Sequence, residues 1–361
     1  MSNEHARRAR PVRQSLRLLR PIGTKPLALP RRARLADVAS AAGVSTMTVA
    51  RVLREPAKVA ASTRARVEQV IRETGYTPDL VARGLASNRS GLIAAVIPVL
   101  TNSLIAEIMQ GLTDALVPQG FHLLLGASGF SAAEEEVLVR AFLSRRIDGI
   151  YLSGVEHTAG TVLMLRRAGI PVVEGGNITA SPIDMVVGFS NVEAARAITR
   201  HLVLKAYAPI AYIGAFPKDN DRARDRREGY ERAIRAARRR VEAELCVETT
   251  LDIDSGARAM ATLLGRRPDV RAVFCSADAL AVGALYECQR RGLAIPRDIA
   301  IAGFDDIPIA GQVVPALTTI RVPRYEIGQK AGRMLCDRLA GRSVRRRIVD
   351  AGFEIVPRAS A

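Results

Sequence analysis

The stretch from Leu35 to Leu53, Leu-Ala-Asp-Val-Ala-Ser-Ala-Ala-Gly-Val-Ser-Thr-Met-Thr-Val-Ala-Arg-Val-Leu, constrains this chain more than any other. Leu35, Val38, Ala39 and Ala42 recur at helical spacing, and Gly43 can take the left-handed conformation that ends a helix. Ser45 has the position of an N-cap for a second helix, with Val49, Val52 and Leu53 inward and Thr46, Met47, Thr48 and Arg51 outward. Helices this short bury little surface alone and have to pack on one another. The small Ala39 permits a close crossing and Val49 fills the space between, which predicts a helix-turn-helix whose second helix can enter a DNA major groove. A third amphipathic helix is predicted from Ser62 to Thr74, ending at Gly75.

Charge favours that reading over an ordinary pair of packed helices. The 361 residues carry a formal charge of +17, of which residues 1–91, with 18 Lys/Arg and 6 Asp/Glu, hold +12. Positive charge concentrated around the predicted helix-turn-helix favours binding to phosphates through counterion release. Residues 1–32, rich in arginine and punctuated by proline, cannot bury enough surface to order and read as a basic disordered tail. Cys246, Cys275, Cys288 and Cys336 are far apart without Cys-x-x-Cys spacing, so no metal or cofactor is expected and the thiols are expected to be reduced. There is no apolar run of membrane-spanning length and no signal-peptide core at the N-terminus, so the expected location is cytoplasmic.

From Leu92 onward, short apolar runs alternate with helical stretches in two successive series. Strands are predicted at Leu92–Val99, Phe121–Leu125, Ile147–Leu152, Ile170–Val173 and Met185–Phe189, then at Ile210–Ile213, Val270–Cys275 and Ile299–Phe304. Helices are predicted at Leu104–Leu116, Ala132–Leu143, Val192–Val203, Glu228–Ala237, Ser255–Leu264 and Ala279–Arg291. Such alternation predicts two α/β lobes with parallel sheets, whose ligands sit at the carboxyl ends of the strands. The first strand runs on as Pro98-Val99-Leu100-Thr101-Asn102 with no Gly-x-Gly-x-x-Gly, and the chain has neither a Gly-x-x-x-x-Gly-Lys-Ser/Thr loop nor a Gly-x-Ser-x-Gly elbow. An enzyme is therefore not expected. Glu174, Asp278, Asp305 and Asp306 read as hydroxyl acceptors or helix caps.

The residues Asp37-Val38-Ala39, Gly43-Val44-Ser45, Thr48-Val49-x-Arg51-Val52-Leu53, Gly75-Tyr76-x-Pro78 and Ala82-x-x-Leu85 resemble the LacI/GalR family of bacterial transcription repressors. The likeness extends over nearly all of the chain beyond its first thirty residues. Within the family it is similar to the repressors of gluconate utilisation, through Pro98-x-Leu100-Thr101-Asn102, Ile170-Pro171-Val172-Val173-Glu174, Val187-Gly188-Phe189-x-Asn191 and the run from Leu280 to Leu293. The resemblance implies an N-terminal all-α helix-turn-helix domain with a hinge helix, followed by a two-lobed α/β domain like periplasmic binding proteins. On this basis the chain divides into a tail (1–32), a DNA-binding domain (33–77), a hinge helix and linker (78–90), and an effector-binding and dimerisation domain (91–361).

As DNA contacts, the resemblance implies Leu35, Ser45, Thr46, Met47, Thr48, Arg51, Arg54 and Tyr76, and from the hinge Ala82, Arg83 and Leu85, with Leu85 wedging between base pairs. As effector contacts it implies Asn102, His157, Asn177, Arg226, Asp278 and Asp305, with Arg226 receiving a carboxylate. The implied partners are double-stranded operator DNA, a second copy of the chain, and a sugar acid such as gluconate or 2-ketogluconate acting as inducer. With no leucine heptad near Ala361, a homodimer is expected rather than a tetramer. The competing readings are a purine or neutral-sugar corepressor, or a sugar-binding protein of transport type that would have no use for Leu35–Leu53. Two departures from the family pattern bear on the ligand: Ala277-Asp278 stands where relatives commonly have Asn-Asp, and Leu104 and Ile105 stand where an aromatic often stacks on the sugar.

Overall fold

A computed structural model describes residues 33–76, 89–100, 103–218 and 220–361, and divides the chain into two compact units, Met1–Asp79 and Leu80–Ala361. The hinge residues Ala82, Arg83 and Leu85, the tail (1–32) and Asn102 lie outside the described residues.

The first unit consists of α1 (Leu35–Ala42), α2 (Thr46–Arg54), a short 3-10 turn (Pro56–Lys58) and α3 (Ala61–Thr74). Gly43 ends α1 at φ 61° and Gly75 ends α3 at φ 61°, conformations that a side chain resists. Asp37 accepts the Arg34 amide at 2.7 Å, which places a carboxylate at the positive end of α1. Val38, Ala39, Ala42, Val49, Val52, Val67 and Val70 form its core, with Leu35, Val44, Leu53, Ile71 and Tyr76 packed against it. This is the inward face that the residue spacing predicts.

The second unit has two lobes. In the first, a six-stranded sheet contains, in spatial order, β11 (Ile348–Asp350), β5 (Met185–Gly188), β4 (Val172–Gly175), β3 (Gly149–Ser153), β1 (Leu92–Ile97) and β2 (His122–Ala127). All of its pairings are parallel. It is flanked by α4 (Ser103–Leu116), α5 (Ala132–Ser144), α6 (Ala159–Ala168) and α11 (Arg324–Leu339). The second lobe has a parallel sheet in the order β7 (Cys246–Thr249), β6 (Ile210–Ala215), β8 (Ala272–Cys275) and β9 (Ala300–Ala302). Its helices are α7 (Asn191–Leu204), α8 (Asp221–Ala236), α9 (Ile253–Arg266) and α10 (Asp278–Arg290). An antiparallel pair, β10 (Thr319–Arg321) with β12 (Glu354–Val356), completes the unit.

The chain passes between the lobes after β5, after β10 and after β11, so the two bodies are joined by three strands rather than one tether. One apolar cluster runs through both, from Ile93 and Tyr151 to Tyr212, Phe274 and Phe304. Glycines allow a close contact between α4 and α11: a Cβ on Gly328 of α11 would stand 2.0 Å from the Ile108 carbonyl of α4, and one on Gly111 of α4 would stand 2.1 Å from the Tyr325 carbonyl.

The structure corrects the sequence-based expectation at several elements. Helix α8 begins at Asp221 rather than Glu228, and α6, α11, β7, β10, β11 and β12 are additional to the predicted elements. The Asp221–Arg227 segment is almost wholly charged, so no apolar period marks it, and the additional strands are only three or four residues long.

Candidate DNA-reading helix and effector cleft

Helix α2 is set by its cap. The Ser45 side chain accepts the Thr48 amide at 3.1 Å and lies 2.9 Å from the Thr48 hydroxyl, so both hydroxyls are engaged in starting the helix. With Val49 and Val52 buried, Thr46, Met47 and Arg51 are left on the outer face, Met47 at 65% exposure. An apolar side chain held this far into solvent on a short helix is suited to a thymine methyl, and Arg51 beside it supplies a hydrogen-bond donor. Arg54 ends the same helix. Leu35 and Tyr76 are half-buried against the core of this unit, where they can support the helix as well as touch a backbone.

In the second unit, the carboxyl ends of both parallel sheets open on a cavity of about 480 Å³ between the lobes. Its walls are apolar on the first lobe (Pro98, Val99, Leu104, Ile105, Ile108) and polar on the second (Asn220, Arg222, Arg226, Asp252, Ser276, Asp305), with Val322, Arg324 and Ile327 contributed by the chain crossing between them. Asn220, Asp252 and Ala277 are the N-caps of α8, α9 and α10, so three helix N-termini border the cavity. Their partial positive charge adds to that of three guanidinium groups.

Arg226 is the most constrained of the three. Its Nε donates to Asn191 at 2.9 Å and its Nη1 to the Ser276 carbonyl at 2.6 Å, while the guanidinium lies 3.8 Å from the centre of the Phe304 ring. Its Nη2 has a contact of 3.6 Å to Asp305, long for a hydrogen bond, and can take an oxygen of a bound anion. Burial lowers the Arg226 pKa, opposed by Asp305. Burial raises that of Asp305, opposed first by Arg226 and then by Arg324 and Arg222. Arg324 donates to Glu107 at 3.2 Å and to the Asp305 carbonyl, and Arg222 donates to Ser153 at 3.1 Å. Asp305 itself sits at φ 114°, a conformation costly for a residue with a Cβ. Its carboxylate is thereby held at the cavity wall 3.6 Å from Arg226, while Arg324 holds its main-chain carbonyl.

A model of bacterial regulatory proteins of the lacI family matches residues 34–79, and a periplasmic binding protein-like domain matches residues 199–361. The chain is 35% identical over 323 residues to the HTH-type transcriptional regulator GntR of Escherichia coli K12, spanning 90% of this chain and 97% of that protein. This chain belongs to the lacI family. GntR of Pseudomonas aeruginosa is 37% identical, with 91% and 96% covered. The crystal structure of a LacI family transcriptional regulator from Silicibacter pomeroyi superposes with a TM-score of 0.85 at 31% identity, covering 91% of this chain and 99% of that one. The chain is thus a DNA-binding transcriptional regulator of the lacI family and not an enzyme. Among the described residues, no helix is long and apolar enough to cross a membrane.

Of the effector contacts expected for this lacI-family chain, Arg226 and Asp305 line the cavity and three others do not. Asp278 does not line the cavity: its neighbours Ala277 and Ala279 do, whereas its carboxyl is buried and accepts from the Thr319 hydroxyl at 2.6 Å and the Ile307 amide at 2.9 Å. Burial, reinforced by Asp305, pushes its pKa up to about 7. Asn177 is also turned away, donating to Asp225 at 2.7 Å and accepting the Ile178 amide at 2.9 Å. His157 lines a smaller recess of about 250 Å³ beside the cleft, with Nδ1 2.7 Å from Glu135 and Nε2 3.4 Å from Glu174. Burial would lower its pKa, but Glu135 and Glu174 raise it to about 9.

Sequence reasoning missed Arg222, Arg324, Asn220, Asp252 and Phe130. Arg222 falls in a run of arginines that reads as a solvated face, and Arg324 stands alone after Val322-Pro323 with no pattern to mark it. Phe130, under the Arg222 guanidinium at 5.6 Å, brings an aromatic to the cavity from a loop after β2, whereas the sequence shows only that the first helix of the cleft lacks one.

Proposed function

We propose that this chain is an operator-binding repressor that acts as a homodimer in the cytoplasm and is released from DNA by a sugar acid bound between its lobes. The observation that carries the ligand class is the convergence of Arg222, Arg226 and Arg324 with three helix N-termini on one cavity that offers the Asp305 carboxylate for hydroxyl groups. Such a wall suits a ligand with one carboxylate and several hydroxyls, and 480 Å³ falls in the range of about 300–1,000 Å³ typical of small-molecule sites. Relatives include GntR and IdnR regulators, and a neighbouring structure, 30% identical with a TM-score of 0.67, is a CelR–cellobiose complex. Neutral sugars are therefore the second reading.

The proposed domain division is a tail (1–32), a DNA-binding domain (33–77), a hinge (78–90) and an effector domain (91–361). On DNA, Thr46, Met47 and Arg51 read base edges, while Ser45, Thr48, Leu35, Arg54 and Tyr76 set the helix and contact the backbone. From the hinge, Ala82, Arg83 and Leu85 approach the minor groove, and Leu85 inserts between base pairs. Replacing Leu85 by Ala should weaken operator binding at least tenfold in a filter-binding titration while leaving the thermal unfolding of the protein unchanged; equal operator affinity would remove the wedge.

Isothermal titration calorimetry tests the ligand class. Gluconate or 2-ketogluconate should bind one per chain in the micromolar range, and Arg226→Met should abolish the heat. Binding of a neutral hexose or a purine, with none of the acids, would replace the sugar-acid reading.

A further inference from the structure

Because the six strands of the first lobe run parallel, the segments entering β1, β3, β4 and β11 share one edge with the C-terminal ends of α5, α6 and α11. Arg89 precedes β1; Arg145 and Arg146 precede β3; Arg166 and Arg167 close α6; Arg338 and Arg342 close α11; Arg345, Arg346 and Arg347 lead into β11. All are exposed. Among the described residues, the carboxylates on this edge are four and already engaged, Asp114 in the last turn of α4 accepting from Gln110 at 2.7 Å and from the Tyr325 hydroxyl at 2.8 Å. Asp148 accepts the Ser90 and Gly91 amides at 3.0 and 2.7 Å, Asp184 lies 3.3 Å from Arg338 and 3.9 Å from Arg347, and Asp337 lies 2.7 Å from Arg342. Among the described residues, Arg146, Arg166, Arg167, Arg345 and Arg346 face no carboxylate.

The excess is local. Residues 92–361 carry 35 Lys/Arg and 30 Asp/Glu, and nine of those arginines with four of the acids lie on this edge, so the rest of the domain is close to neutral. Compensation of helix dipoles accounts for part of the pattern but not for Arg345–Arg347, which belong to no helix. At the matching edge of the second lobe, Arg267 holds Glu242 and Asp269, Arg290 and Arg291 hold Glu287, and Arg297 holds Asp298.

We propose that this edge is a second, sequence-independent DNA contact, binding the phosphate backbone of the duplex whose bases α2 reads. The inference rests on the DNA-binding reading above. Two observations point to duplex DNA rather than another polyanion: the unpaired arginines present donors suited to phosphate oxygens, and the chain from the DNA-reading unit joins the lobe at this edge, at Arg89 and Ser90. Only residues 77–88 separate the two, a reach of at most about 45 Å fully extended, so a duplex held by α2 is kept within range.

The test uses the full chain with Arg166, Arg167, Arg345 and Arg346 changed to Gln, and a control in which Arg200, Arg238, Arg240 and Arg266 are changed instead. Binding to a 60-bp duplex (about six helical turns) of random sequence and to one from upstream of its own gene is followed by anisotropy across a salt series. The edge variant should bind both duplexes about tenfold or more weakly, with the log–log salt slope reduced by about two to four, roughly 0.9 for each phosphate no longer neutralised. Its preference for the upstream duplex should be kept, and the control should keep affinity and slope. An unchanged slope in the edge variant, or an equal change in the control, would overturn the proposal. Failure of the DNA-reading account appears differently, as a wild-type protein with no preference between the two duplexes.

Discussion

In the proposed function, Arg226 is where residue chemistry meets the ligand. A lysine at this position would keep a positive charge but lose the planar fork that donates to Asn191 and Ser276 while lying over Phe304. Arg226→Lys should weaken sugar-acid binding about 10–100-fold, the range expected for one charge-assisted hydrogen bond, with operator affinity in the absence of ligand unchanged. Undiminished ligand affinity would place the carboxylate elsewhere in the cleft. His157 makes a separate prediction about pH. An unfolded histidine titrates near 6.5 and the folded His157 at about 9, so stabilisation from its charged ring is complete below 6.5 and lost as the pH rises through 9. The thermal midpoint of the effector domain should fall over that window, and His157→Gln should flatten the fall. The same histidine shows what residue types alone conceal. A loop histidine near a strand end is visible as a polar candidate, but its capture by Glu135 and Glu174 depends on α5 and β4 meeting beside it.

At the scale of elements, α1 to α3 are legible in full because each buries one apolar stripe at helical spacing and stops at a glycine or a cap. The same logic fails on α8. Its residues at the cleft are Arg222, Ala223 and Arg226, so the face turned toward the cavity carries the polarity normally read as solvent-facing. The turning of Asp278 toward Thr319 is likewise invisible, since β10 lies 41 residues further on and is only three residues long. Packing between elements yields a paired test. Gly328→Ala would drive a Cβ to 2.0 Å from the Ile108 carbonyl and should cost about 1–3 kcal/mol in thermal or urea unfolding of the effector domain. Gly265→Ala, in α9 with nothing within 4 Å of the added Cβ, should instead stabilise by about 0.5–1 kcal/mol. Equal effects at the two sites would mean that the α4–α11 approach is not as close as described.

For the whole molecule, the proposed function requires a conformational difference between lobes joined by three strands and a shared apolar cluster. A ligand that touches Arg226 and Asp305 on one lobe, Leu104 and Ile105 on the other and Arg324 between them binds one lobe arrangement better than another, and it shifts the population by no more than that difference in affinity. A coupling of about 1–3 kcal/mol changes operator affinity about 5–150-fold. The measurement that tests this most directly is the anisotropy of full-length protein on DNA from upstream of its own gene at fixed salt, with and without gluconate or 2-ketogluconate. The account predicts specific binding that one of these acids weakens within that range, and a response in Arg226→Lys displaced to about 10–100-fold higher ligand concentration. Specific binding indifferent to both acids, or tightened by them, would contradict it.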